Sequence, residues 1–227
     1  MYNYCRFITS SVTYRRYLLD LLLEKHSYLM QGWVLDIGGK KERSRGVFKR
    51  PAATSKITKW LYINIDLDVS PDLVGDCHSL PIRSGTVDTI LCCEVLEHVA
   101  GPDCCCLELA RILKPNGVLI LSVPFAYPIH ADPYDWGRFT PIKLKAMLDD
   151  FEQVTVTPMG DWMGTIGMLL DLWSRKVGTG FVKRFLGRGI RLIGRSLSYR
   201  ELKKSELGRQ TVFSTGYFCV AHKGNKG

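Results

Sequence analysis

The chain has 227 residues, 46% of them hydrophobic and 23% charged, which suits one large domain, or a domain with an insertion, with its own core and disfavours a disordered chain. The formal net charge is +9, and the excess lies late in the chain: from residue 162 onward 13 Lys/Arg stand against 3 Asp/Glu, while residues 1–161 are nearly neutral. That asymmetry points to an anionic partner such as phospholipid, nucleic acid or a phosphorylated substrate.

Residues 14–30 read as a helix with Leu18, Leu21, Leu22 and Leu29 on its apolar side. Trp33–Ile37 is a short apolar strand that runs into Gly38-Gly39. Residues 40–59 carry 8 Lys/Arg against one Glu and read as a long basic loop. Leu61–Ile65 is a second strand ending at Asp66, and Asp72–Gly75 a short third. Val87–Cys93 is a buried strand, and Glu94–Leu113 reads as a helix interrupted at Gly101-Pro102-Asp103. Pro115-Asn116-Gly117 reads as a turn before the strand Val118–Val123. Thr140 caps a helix with Pro141 at its first position, running to Asp150. Val154 and Val156 mark another strand, and Phe213–Ala221 the last.

Strands alternating with helices predict an α/β, Rossmann-like, doubly wound sheet with mostly parallel strands. Ligands of such sheets lie beyond the carboxyl ends of the strands, so the residues that follow each strand are the informative ones. Asp36, Gly38 and Gly39 follow the first strand, where glycine lets the backbone turn sharply and approach a ligand. Asp66 ends the second and can accept from ribose hydroxyls; Asp76 follows the third and can accept from an adenine amino group.

Taken in order, Val34-Leu35-Asp36-Ile37-Gly38-Gly39, Ile63-Asn64-Ile65-Asp66, Gly75-Asp76-Cys77-His78-Ser79-Leu80-Pro81, Cys93-Glu94-Val95-Leu96-Glu97-His98-Val99 and Glu108-Leu109-Ala110-Arg111-Ile112-Leu113-Lys114-Pro115-Asn116-Gly117 resemble a class I S-adenosylmethionine-dependent methyltransferase of type 11. The likeness covers roughly residues 30–125. It implies seven strands with the last one antiparallel, and S-adenosylmethionine as cofactor. It also implies that Asp36, Gly38 and Gly39 cradle the methionine end, that Asp66 binds the ribose with Leu67 beside the adenine, that Asp76 and Cys77 face the adenine, and that Cys93 lies under the sulfonium. Lys40 stands where the usual family loop has a third glycine.

The segment from Ser122 to Thr140 follows a central strand and reads as the lip of an acceptor pocket. His130 can act as a base near neutral pH, with Asp132 or Asp135 orienting it or acting instead. Arg138 can hold a phosphate or carboxylate, and Tyr127, Tyr134 and Trp136 suit a sugar or another flat ring. The other reading of the pair is an Arg138–Asp135 ion pair that pins the loop. The segment looks like one in methyltransferases of surface-glycan assembly, which implies O-methylation of a saccharide or lipid-linked glycan. Another small molecule or RNA as acceptor, or a non-catalytic cofactor-binding or membrane-associated protein, are the rival readings.

On a continuous helix Glu94, Glu97 and His98 lie at i, i+3 and i+4, which could hold a divalent ion with His130; the plainer reading is a helix start, and no metal is assigned. The cysteine runs Cys92-Cys93 and Cys104-Cys105-Cys106 lack zinc-ribbon spacing and disulfide pattern, as expected in a reducing cytoplasm. Met1–Ser11 shows no secretory pattern, and no run reaches the ~18 apolar residues of a spanning helix.

The chain is read as one methyltransferase domain with a helical extension at residues 1–30 and a basic helical insertion at residues 162–210. In the insertion Phe181, Val182, Phe185, Leu186, Ile190, Leu192, Ile193 and Leu197 fall on one helical side and Lys183, Arg184, Arg188, Arg191 and Arg195 on the other. That pattern suits peripheral contact with an anionic membrane and disfavours nucleic acid as the partner. Trp162–Trp173 is apolar enough to form a lid or a second membrane-facing patch.

Overall fold

The computed structural model describes residues 12–40, 48, 51, 56–130, 133–176, 187–197 and 213–225. Most of the expected basic loop, together with Asp132 and the stretches 177–186 and 198–212 of the expected insertion, lies outside them.

Helix α1 is Tyr14–Lys25, capped by Thr13, whose hydroxyl accepts from the Arg16 amide. It ends earlier than the apolar pattern suggests, because a 3-10 turn at Ser27–Leu29 carries the chain into the sheet. The first four strands are β1 (Gly32–Ile37), β2 (Ile57–Asn64), β3 (Leu73–Val74) and β4 (Val87–Cys93). Helix α2 (Pro102–Ile112) leads into β5 (Leu113–Pro124). Helix α3 (Pro141–Met147), β6 (Phe151–Pro158), helix α4 (Trp162–Lys176), a helical stretch α5 over residues 187–197, and β7 (Gly216–Lys223) complete the order.

The seven strands form one sheet in the order β3-β2-β1-β4-β5-β7-β6. The ladders from β3 to β5 are parallel, and β7 is antiparallel to both β5 and β6, as the resemblance implied. Side chains alternate across the sheet. Leu35, Ile90, Leu119, Leu121 and Cys219 pack on the face covered by α2 and α3. Val34, Leu91, Ile120 and Phe218 pack on the face covered by α1, with Met168 of α4. Both faces are therefore dry, which is why the central strands read as nearly continuous apolar runs.

Three expectations change. Strand β2 starts at Ile57, four residues early, because Ile57 and Trp60 bury against α1 and extend the ladder to β1. Pro115-Asn116-Gly117 is not a turn: Asn116 takes φ +61 inside β5, and the span from Leu113 to Val118 opposes only Val87 to Thr89. A local bulge absorbs the extra residues. The expected helix from Glu94 is broken into a left-handed Glu94 (φ +61), a 3-10 turn at Leu96–His98, and α2, which starts only at Pro102.

The expected two-sided pattern of the insertion holds only in part where it is described: Arg188 and Arg191 are exposed, but Arg195 is not. In α5 Leu192 and Ile193 are exposed, whereas Arg195 is buried. Arg195 donates to the Asp171 carboxylate and the Val12 carbonyl, and any side chain at Gly194 would strike the Gly167 carbonyl. The helix thus docks on α4 through a glycine and a paired arginine and turns Leu192 and Ile193 outward. Among the described residues no helix is long and apolar enough to cross a membrane.

The described cysteines are free thiols, and Cys77, Cys92, Cys105, Cys106 and Cys219 are buried. Burial pushes the Cys106 and Cys219 thiols up to about 12, so they behave as small apolar groups.

Candidate active site

A cavity of about 650 Å³ opens at the carboxyl ends of β1, β2 and β4. Its floor is set by the backbone. Gly38 takes φ +71, and a Cβ there would stand 2.6 Å from the Val95 side chain, so only glycine leaves this approach open. Its amide donates to the Ile63 carbonyl, and the Asn64 amide group donates to the Gly39 carbonyl, which fastens the β1 loop to β2. Asn64 also accepts from the Asp66 amide, and Asp66 caps the following 3-10 turn by accepting from Asp68. Asp76 accepts from both the His78 amide and the His78 ring. The bond from the His78 amide, with the ring beside it, holds the Asp76 carboxyl below the usual range, so it stays ionised.

Of the residues expected to bind cofactor, Gly38, Asp66, Asp76 and Cys77 line this cavity. The Cys77 thiol is buried in the core, so that residue presents mainly its backbone. Asp36 and Gly39 lie behind the wall, packed on each other, for a Cβ on Gly39 would meet the Asp36 carboxyl at 2.6 Å. Leu67 is exposed beyond Asp66. Cys93 is not in the wall. It packs toward α1, where burial pushes its thiol up to about 12, and the left-handed Glu94 next to it turns Glu94 and Val95 inward instead. Lys40 lines the cavity where the family pattern would have glycine.

These residues fit S-adenosylmethionine. A side-chain-free approach at Gly38 and two carboxylates, Asp66 and Asp76, share one cavity, which matches a zwitterionic amino acid joined to a nucleoside.

Of the residues expected to bind the acceptor, Tyr134 and Trp136 line the cavity, both largely exposed, with ring centroids 5.7 Å apart. Tyr127, His130, Asp135 and Arg138 stand one layer behind, joined through His98, whose ring lies 5.1 Å from that of His130. Asp135 does not have the setting of a base. It is 3% exposed, takes both guanidinium nitrogens of Arg138, and accepts from the His130 amide at 2.9 Å. The Arg138 hydrogen bond holds its carboxyl down at about 2. Arg138 also donates to the carbonyls of Gly137, Tyr127 and Pro128, so its fork is used inside the loop rather than offered to an anion. The pinning ion pair is what the structure contains, and Asp135 orients His130. Burial, then the neighbouring His98, lowers the His130 pKa and keeps the imidazole neutral near pH 7.

Several neighbours were not legible in the sequence. Arg15 of α1 forms a buried ion pair with Glu94 and lies over the Tyr127 ring, 4.3 Å from its centroid. Ser122 of β5 donates to the other Glu94 oxygen. His98 shares a 2.6 Å hydrogen bond with the Tyr134 carbonyl. Glu97 is fully buried beside His98. The positive φ at Glu94 gives no local sequence signal, since glycine or asparagine would ordinarily mark it.

Residues 52–121 match the family described as methyltransferase domain. A 67-residue stretch is 39% identical to an uncharacterized 37.1 kDa protein in transposon TN4556 of Streptomyces fradiae, covering 30% of this chain and 16% of that protein. The chain therefore spans about a sixth of that relative. In fold it is similar to phosphoethanolamine N-methyltransferase 2 of Haemonchus contortus, solved with phosphomonomethylethanolamine and S-adenosylhomocysteine (TM-score 0.57, 14% identity, 97% of this chain and 57% of that one). It is also similar to an S-adenosylmethionine-dependent methyltransferase of Archaeoglobus fulgidus (TM-score 0.52, 13% identity, 91% and 93% of the two chains). Residues 52–121 thus match a methyltransferase-domain family, and the chain as a whole has the fold of S-adenosylmethionine-dependent methyltransferases of known structure.

Proposed function

We propose that the protein transfers a methyl group from S-adenosylmethionine to a hydroxyl of a saccharide or lipid-linked glycan. The observation that carries this reading is one cavity with Gly38, Asp66 and Asp76 at one end and the open aromatic pair Tyr134 and Trp136 at the other. Flat, exposed rings at the mouth suit stacking against a sugar face.

When bound, the cofactor supplies an activated methyl on a positively charged sulfur. The chain's own residues do the rest. Gly38 lets the backbone approach, Asp66 and Asp76 fix the nucleoside by accepting hydrogen bonds, and Tyr134 and Trp136 orient the acceptor, so that catalysis rests largely on positioning. His130, neutral and oriented by Asp135, is the group we assign to taking the acceptor proton, with His98 between it and the cavity. Contact with an anionic membrane is part of the same reading for a lipid-linked acceptor. Trp162, Met163, Ile166 and Trp173 of α4 and Leu192 and Ile193 of α5 are exposed, with Arg188 and Arg191 exposed among them.

The test is calorimetric titration with S-adenosylmethionine and S-adenosylhomocysteine, followed by radiolabelled methyl transfer to a panel of saccharide, small-phenol and RNA acceptors. Micromolar cofactor binding that Asp66→Ala weakens at least tenfold, with label in saccharides and a roughly 10²-fold lower kcat in His130→Ala, supports the reading. Label only in phenols or RNA would replace the acceptor class. No cofactor binding would leave a non-catalytic protein.

A further inference from the structure

We propose that Glu97, His98 and His130 form a binding site for one divalent first-row transition cation such as Zn²⁺, Mn²⁺ or Co²⁺. One donor atom from each lies within 4.8 Å of the other two. The helical triad read from the sequence is not the donor set. Because Glu94 is left-handed and paired with Arg15 and Ser122, it leaves the cluster, and the acceptor loop brings His130 in its place.

The second observation is the state of Glu97. Its side chain is 0% exposed, and among the described residues neither carboxylate oxygen has a hydrogen-bond partner. A buried carboxylate without donors is costly unless a charge faces it. The nearby guanidiniums act on Glu97 only through space: Arg15 is paired with Glu94 and stacked on Tyr127, Arg138 is forked onto Asp135, and neither donates a hydrogen bond to the Glu97 carboxylate. The His98 ring nitrogen at 3.7 Å from Glu97 is too distant for a hydrogen bond, and the His130 Nδ1, also buried, has no hydrogen-bond partner and stands 3.4 Å from Asp135. An unbonded carboxylate and two neighbouring imidazoles converge where a cation would satisfy all three.

Two imidazoles and one carboxylate favour a transition cation over Mg²⁺ or Ca²⁺, which take all-oxygen sets. The outer partners are present as well. The other His98 nitrogen bonds the Tyr134 carbonyl, which fixes which nitrogen faces the cluster. Three protein ligands leave coordination positions open, and His98 lines the cavity. An acceptor oxygen could occupy such a position; with the cation bound, its charge acidifies the acceptor hydroxyl in place of the proton transfer assigned to His130 in the metal-free site, and this role alone rests on the methyl-transfer reading above. The cation site itself does not.

The full chain, stripped with chelator, would be titrated with Co²⁺ and read by visible absorption and metal analysis. One Co²⁺ per chain is expected, with binding at least tenfold weaker in Glu97→Gln and in His130→Ala. Binding should persist in His78→Ala, which removes the exposed Asp76, Cys77 and His78 cluster, the other group of possible ligands among the described residues. Should Glu97→Gln not fold, Mn²⁺ added to the unmodified protein provides a separate readout. It should broaden the ring proton signals of His98 and His130 and spare those of His26 and His222. The proposal is overturned by no stoichiometric binding to folded protein, by binding that Glu97→Gln and His130→Ala leave unchanged, or by broadening of His78 alone. Titration with S-adenosylhomocysteine without metal tests the cofactor reading independently, so the two failures can be told apart.

Discussion

The backbone amide of Trp136 donates to the carbonyl of Glu97 at 2.6 Å. That bond, with the His98 ring on the Tyr134 carbonyl, staples the aromatic lip to the turn after β4. The lip is thereby held against an element that also lines the cavity, so its aromatic mouth and its strand-end floor are joined by one rigid connection.

Gly38→Ala should weaken cofactor binding at least tenfold with little loss of fold. The substitution places a Cβ 2.6 Å from Val95 at a φ that L-residues seldom adopt, a strain of about 1–2 kcal/mol confined to the cavity floor. Calorimetry with S-adenosylhomocysteine should show at least tenfold weaker binding, while the thermal midpoint falls by only a few degrees. Unchanged affinity would remove Gly38 from the cofactor site.

Acid should loosen the acceptor loop late. The folded Asp135 carboxyl sits near 2, below its ordinary value of about 4, so its contribution is present above pH 4 and is lost as pH falls toward 2. The shift corresponds to about 2 kcal/mol. Asp135→Asn should lower stability at pH 7 by roughly that amount and flatten the acid limb of a denaturation profile. A wild-type-like acid limb in the variant would show that the Arg138 pair does not stabilise the fold.

Asp171→Asn should be the more damaging change. The buried Asp171 carboxylate faces Arg175 at 2.8 Å, Arg191 at 3.1 Å and Arg195 at 3.4 Å, and Arg195 is itself buried. Without the carboxylate a guanidinium is left buried without its counter-charge, which costs about 3–5 kcal/mol. A drop in thermal midpoint of roughly 6–20 °C is expected for a chain of this size. A drop of less than two degrees would mean that α5 is not anchored through this residue.

Sedimentation with vesicles of mixed anionic and neutral lipid reads the membrane contact. The protein should pellet with anionic vesicles at low salt, with a blue shift in tryptophan emission from Trp162 and Trp173, and remain in solution with neutral ones. Leu192→Ser with Ile193→Ser should weaken the association at least fivefold, because those side chains are exposed and their loss leaves the Arg195 anchor intact. No association at low salt would eliminate this contact.

The sequence by itself determined the sheet and placed Gly38, Asp66, Asp76 and Cys77 along one cavity at its strand ends. Both depend on local information: apolar runs such as Val87–Cys93 and Leu119–Val123 that a doubly covered sheet requires, and glycine or aspartate set directly after a strand. The tertiary structure decided the acceptor side. Whether Asp135 is a base or a loop pin depends on where Arg138 points, and whether Glu94 or Cys93 meets the cavity depends on one left-handed residue whose side chain does not announce it. The same holds for α5. Its periodicity placed Arg195 on the basic side with Arg188 and Arg191, but a buried Asp171 on a neighbouring helix and the close approach at Gly194 bury that one arginine and leave the other two exposed. Charges that find partners far along the chain override the amphipathic pattern, because an ion pair buried with its hydrogen bonds made is tolerated where a lone charge is not.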